Sequence, residues 1–122
     1  MKAKNIIPLS IAPALRVTGS AGSAGVDVSA FAGDVKFTLD SSAGGGADNT
    51  LDVKVQHSDD NITFVDVPGA VFTQVTNAAP AFESIIVKGD GLKKFVRVLD
   101  IVLGTAPTFD RSVQMTGEKQ YS

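Results

Sequence analysis

The sequence predicts an all-β fold, a single β-sandwich of about seven strands, and three observations predict it. Apolar and polar residues alternate one for one in two separate stretches, "DVKFTLD" (34–40) and "TLDVKVQHS" (50–58), the two-residue period of a strand with one buried face. Breaks rich in glycine, aspartate and asparagine separate the apolar stretches at strand-length spacing. The most apolar run, "KKFVRVLDIVL" (93–103), is rich in β-branched residues and lies between Gly91 and Gly104, which favours a strand over a helix.

With 122 residues the chain fits one domain, and that size buries an adequate core without disulfides or metals. A hydrophobic content of 43% with 20% charged residues is that of a globular protein. The net charge of −2, with both signs interspersed, gives no reason to expect nucleic acid as a partner. Cysteine is absent, which excludes a disulfide framework, thiol catalysis and thiolate metal sites.

Residues 1–25 read as an extended N-terminal arm and flexible link, and residues 26–122 as the sandwich domain. Lys2 and Lys4 precede an apolar run from Ile6 to Val17, a loose imitation of a secretory leader, but Pro8, Pro13 and Arg16 interrupt it. The run is too short to span a membrane, and the two prolines forbid a regular helix. "GSAGSAG", Gly19 to Gly25, is a link of small residues. Ile6, Ile7, Leu9, Ile11 and Leu15 need cover. Either the run is a strand on its own domain, or it is an arm lying on a neighbouring subunit whose removal leaves the sandwich folded.

In the first clear strand Val35, Phe37 and Leu39 face the core; in the second, Leu51, Val53 and Val55 do. Between them "SSAGGGADN" (41–49) is a loop without an apolar anchor. Asp59–Asn61 make a turn, because Asp and Asn tolerate left-handed backbone and hydrogen-bond their own chain. "ITFVDV" returns as the second arm of that hairpin, and Pro68-Gly69 signals another turn. Residues 70–81 hold a short strand or helical turn around Val71, Phe72 and Val75. "SIIVKG" is a strand, Gly89-Asp90-Gly91 a turn, and 93–103 a central strand covered on both faces. "FDRSVQMTG" closes the domain with Phe109, Val113 and Met115 inward. A two-sheet sandwich, jelly-roll or immunoglobulin-like, is the architecture such elements make.

The chemistry-bearing residues are few. His57, the sole histidine, ends the strand of Leu51, Val53 and Val55 at the core margin, where a packed or turn-bonding role is expected. One histidine and no cysteine leave no ordinary zinc set. Asp59, Asp60 and Asn61 lack the alternating ligand series and terminal glutamate of a calcium loop. Gly44–Gly46 lack the Lys-Ser/Thr that completes a phosphate cradle. No catalytic, cofactor or metal residue is therefore assigned, and an enzyme is not expected. Arg97 and Arg111 stand within apolar strands, where an arginine snorkels, pairs with a carboxylate such as Asp100 or Asp110, or meets a neighbouring chain. The interface candidates are Ile6, Ile7, Leu9, Ile11, Leu15, Arg97 and Arg111.

Several phrases carry a resemblance: "FxGxVxFxLDSxAG" from Phe31, "TLDVKVQxSDD" from Thr50, "FVDVPGAxFTQV" from Phe64, "KKFVRV" from Lys93, and a closing "GxKxY" at Gly117, Lys119 and Tyr121. Over about residues 25–121 the chain resembles small virion proteins of tailed bacteriophages, and among them head decoration (cement) proteins. Phe64 stands where β-sandwich modules often carry a tryptophan. The resemblance implies no catalytic residues. It implies a chain made in the bacterial host cytoplasm that binds the outside of the phage shell as a homotrimer. Its partners would be the major capsid protein and its own copies, with no nucleic acid and no membrane. The rivals are a tail or head–tail connector component, separated by copy number, and a carbohydrate-binding module. The second is disfavoured by the absence of tryptophan and by phenylalanines that mostly fall at inward positions.

Overall fold

The computed structural model describes residues 6–46 and 48–119, with only the backbone of Lys119; Lys2, Lys4 and Tyr121 lie outside the described residues. The strands are β1 (Ile6–Val17), β2 (Ala21–Gly22), β3 (Val26–Asp27), β4 (Phe31–Ser41), β5 (Thr50–Ser58), β6 (Val65–Val71), β7 (Val75–Thr76), β8 (Ala81–Lys88), β9 (Phe95–Leu103) and β10 (Phe109–Lys119), with one 3-10 turn at Gly89–Gly91. The fold is all-β, in two antiparallel sheets. Seven of the strands run for seven residues or more, in line with the expected number.

A four-stranded sheet has the order β1-β10-β4-β8, and a six-stranded one has β2-β9-β5-β6, with β3 also on β9 and β7 also on β5. The pairing is that of one long hairpin folded over on itself. Each early strand meets its late counterpart: β1 with β10, β2 and β3 with β9, β4 with β8, and β5 with β6.

The alternation read in the sequence places the core. Phe37 and Leu39 of β4 and Val113 and Met115 of β10 line one sheet; Leu51, Val53 and Val55 of β5 and Val96 and Val98 of β9 line the other. All of these are fully buried and belong to one cluster. Each such side chain is worth roughly 1.5–3 kcal/mol over leaving it in water.

Three expectations need correction. The segment drawn as an arm is, from Ile6, an edge strand of the four-stranded sheet, with Ile11, Ala12 and Val17 buried in the domain's own core. Pro8 pairs in register with Thr116, as an edge strand allows, and two register shifts, between Ser10 and Ala12 and between Ala12 and Leu15, carry β1 past Pro13 while it still pairs with β10. Removing this segment would open the core rather than leave it intact. Pro68-Gly69 does not end a strand but lies inside β6, where Gly69 has φ 78°. Between the pairs Lys54↔Val71 and Gln56↔Asp66 the register shifts, so the dipeptide forms a bulge on an edge strand. Finally, β9 is central in its sheet, but its outer face is only half covered and Leu103 is exposed.

The Asp59–Asn61 turn has the chemistry its residues suggest. Asp60 Oδ1 accepts from the backbone N–H groups of Ile62 and Thr63, each at 2.9 Å, and from Ser58 Oγ at 2.7 Å. Asn61 adopts φ 61°. These donors, led by the Thr63 N–H, hold the Asp60 carboxyl down at about 2. At Gly89 the backbone runs so close to Gly33 that a Cβ would overlap its carbonyl oxygen. Only glycine fits there.

Candidate docking surfaces

The two arginines singled out by sequence do different work. Arg111 of β10 and Asp100 of β9 point inward from opposite sheets, each side chain 3% exposed. Arg111 Nη2 donates to Asp100 Oδ2 at 2.6 Å, and Nε lies 3.0 and 3.1 Å from the two carboxylate oxygens. Nη1 donates to the Pro13 carbonyl of β1 at 3.0 Å. One guanidinium thus joins both sheets and the edge strand, with its donors aimed at a carboxylate in the geometry that makes such pairs strong. Of the two carboxylates expected from sequence, Asp100 is the partner. Asp110 instead binds Arg16 across the outer face, at 2.9 and 3.1 Å. That hydrogen-bonded pair holds Asp110 below the usual carboxylate range and raises Arg16. Being buried, with each of its three nitrogens bonded within the chain, Arg111 presents no exposed surface to a neighbouring chain.

Arg97 lies on the outer face of the six-stranded sheet and is also engaged. Its Nε donates to Gln56 Oε1 at 2.9 Å, and its guanidinium stacks 4.3 Å from the Phe64 ring centre. Gln56 passes the network on to Asp66 at 2.9 Å, which Lys54 meets at 3.0 Å. These two donors, Gln56 first, lower the Asp66 carboxyl. Arg97 is half-buried, so only part of it faces outward.

The β1 candidates divide by the bulges. Ile11 is 1% exposed and belongs to the core, so it presents no surface to another chain. Ile7 and Leu9 are half-buried, with Leu9 packed against the core. Ile6 and Leu15 are exposed. Leu15 lines a cleft of about 310 Å³ between β1 and β2, together with Asp100 and Arg111. Ile6 lines a groove of about 500 Å³ across the outer face of the four-stranded sheet, with Lys36, Thr116 and Ile86. That groove brings the two edges of one sheet, β1 and β8, into a single surface.

Two exposed residues on the outer face of the same sheet, one of them in that groove, were missed by sequence reasoning. Phe82 and Ile86 of β8 are 76% and 70% exposed. Ser84 and Lys88 share their parity, and that polar pair was the available signal. "SIIVKG" reads as uniformly apolar unless the strand is carried back to Ala81. Of the seven phenylalanines, three are fully buried, three half-buried, and Phe82 is exposed.

His57 sits at the core margin as expected, 6% exposed, and its Nδ1 accepts from the Lys93 N–H at 3.2 Å. Burial, and then the Lys93 charge, lower its pKa. Among the described residues no group of three or more metal-ligating side chains comes together.

No protein family model matches the chain, and no curated protein does. Among solved structures, the SPBc2 prophage-derived protein YomS matches with a TM-score of 0.58 at 14% identity, over 98% of this chain and 97% of that one. The likeness is one of fold. Since it spans almost the whole chain, β1 belongs to the shared architecture along with the rest of the strands.

Proposed function

We propose that this chain is a structural protein of a tailed-phage virion: a head decoration (cement) protein that binds the outer surface of the shell and ties neighbouring capsomers. On this reading it is made in the bacterial host cytoplasm, works as a homotrimer, and has the major capsid protein and its own copies as partners. It contacts neither nucleic acid nor membrane and is not an enzyme.

The strand order supports a jelly roll. Counting β2 and β3 as one interrupted strand along β9, and β6 and β7 as another along β5, the sheets read first-eighth-third-sixth and second-seventh-fourth-fifth, which follows from rolling up a single hairpin. An immunoglobulin-like sandwich would set its first two long strands side by side; here β10 lies between β1 and β4. Jelly rolls recur in viral capsid domains and also in lectins, so fold alone does not select the function. The phrases that resemble those of phage virion proteins and the fold shared with a prophage-derived protein weigh toward the virion.

The observation that carries the reading is the apolar surface the domain leaves uncovered on its four-stranded sheet, where Phe82, Ile86 and Ile6 stand exposed. Covering such side chains gains about 25 cal/mol per Å², and an ordered shell repeats the gain at every site. Heating shells with and without the protein tests it. Shells carrying the protein should survive temperatures that open bare shells. Equal survival at full occupancy would contradict cementing. Phe82 is also the exposed ring on which a sugar would stack, and glycan binding by the isolated chain would favour a carbohydrate-binding module instead.

A further inference from the structure

An open sheet edge carries unpaired N–H and C=O groups that template another strand, and folded proteins blunt such edges with prolines, bulges or brevity. Three of the four edges among the described residues are blunted. β1 carries Pro8, Pro13 and two register shifts. β2 and β3 are two residues each. β6 carries the Pro68-Gly69 bulge, and β7 is two residues long. β8 is different. It pairs with β4 through eight consecutive residues without a shift, contains no proline, and turns Phe82 and Ile86 to solvent.

We infer that β8 is a self-association edge: β8 of one copy pairs antiparallel with β8 of a second copy about a two-fold axis through Ser84, fusing the two four-stranded sheets into one. The register follows from the sequence of the strand. Residues directly opposite in an antiparallel pair share a face, so a two-fold axis must pass through a residue, and Glu83, Ser84 and Ile85 are the central ones. Centred on Ser84, Phe82 faces Ile86 of the second copy at both ends and Ser84 faces itself. Aromatic against β-branched is among the favourable cross-strand pairs. Centred on Ile85, Phe82 faces Lys88 and Ser84 faces Ile86. Centred on Glu83, two carboxylates meet head on, which is destabilising.

In the Ser84 register Glu83 faces Ile85 of the second copy, and its carboxylate is already held by the Thr73 N–H at 2.7 Å. Ser84 itself bonds Thr38 at 2.9 Å, so no orphaned group is brought to the axis. A foreign strand would have to bring the complementary pattern. A second copy of this chain carries it. The interface is isologous and closes on itself, so it makes pairs rather than filaments.

The chain has no cysteine, so Ser84→Cys introduces a single thiol. In the inferred register it meets its own copy at a Cα separation of about 4.5–5.5 Å, within disulfide reach. Oxidised Ser84→Cys should form a disulfide that joins two chains, read as a doubling of the single-chain mass under denaturing, non-reducing conditions. Gln114→Cys, exposed on the same face but on β10, should not. Adding Ile86→Lys to Ser84→Cys should cut cross-linking at least tenfold, with the far-UV circular dichroism unchanged because Ile86 is exposed. Cross-linking of Ser84→Cys no faster than of Gln114→Cys, or unaffected by Ile86→Lys in the folded chain, overturns the inference. The contact does not rest on the virion reading: solution cross-linking tests one and shell survival the other.

Discussion

Arg111 and Asp100 face each other across the core from β10 and β9, joined at 2.6, 3.0 and 3.1 Å and closed to solvent. A buried pair of this kind gives little net stability over apolar residues of the same shape, but losing one partner strands a charge. Arg111→Met alone should therefore cost about 3–5 kcal/mol in urea unfolding. The double variant Arg111→Met with Asp100→Leu should recover most of that loss. A single variant as stable as the parent would show that Asp100 finds another partner.

His57 gives the chain a pH dependence near neutrality. Its folded pKa lies below the ordinary histidine value of about 6.5 because burial disfavours the imidazolium. The unfolded chain then binds the proton more readily, so stability is highest above about pH 6.5 and falls as pH drops toward the folded pKa. Denaturation midpoints at pH 7.5 and 5.5 should show the fall, and His57→Gln should flatten it. As the chain has one histidine, its proton resonance titrates without overlap. A midpoint above 6.5 would contradict the burial argument.

Asp60 acts at lower pH and through the same linkage. Its folded pKa of about 2 is below the unfolded carboxylate value. Its contribution is present above roughly pH 4 and fades as pH falls toward 2. Asp60→Ala should loosen the β5–β6 turn, read as faster amide exchange at Ile62 and Thr63. Unchanged exchange there would remove Asp60 as the organiser of the turn.

Deleting residues 1–17 should unfold or severely destabilise the domain, because it removes Ile11, Ala12 and Val17 from the core and uncovers β10. A truncated chain that melts with the parent's cooperativity and midpoint would return β1 to the status of a detachable arm.

β4 and β5 were legible in the sequence because one face of each is wholly buried, which enforces strict alternation from Val35 to Leu39 and from Leu51 to Val55. The Asp60 turn was legible because its signal is local chemistry. β1 was not, since two bulges reset its parity and its prolines look like a break rather than an edge. Pro68-Gly69 misled for the same reason: a bulge and a turn use the same residues. For Arg111, sequence offered both Asp100 and Asp110, and only the sheet packing separates the inward carboxylate from the outward one. The exposed Phe82 and Ile86 were hidden by adjacency to Ile85 and Val87, which do face the core.

The virion assignment is tested most directly by counting. Quantitative mass spectrometry of purified particles should find this chain in numbers approaching those of the major capsid protein. A handful of copies per particle would place it at the tail or connector, and its absence from particles would contradict the assignment altogether.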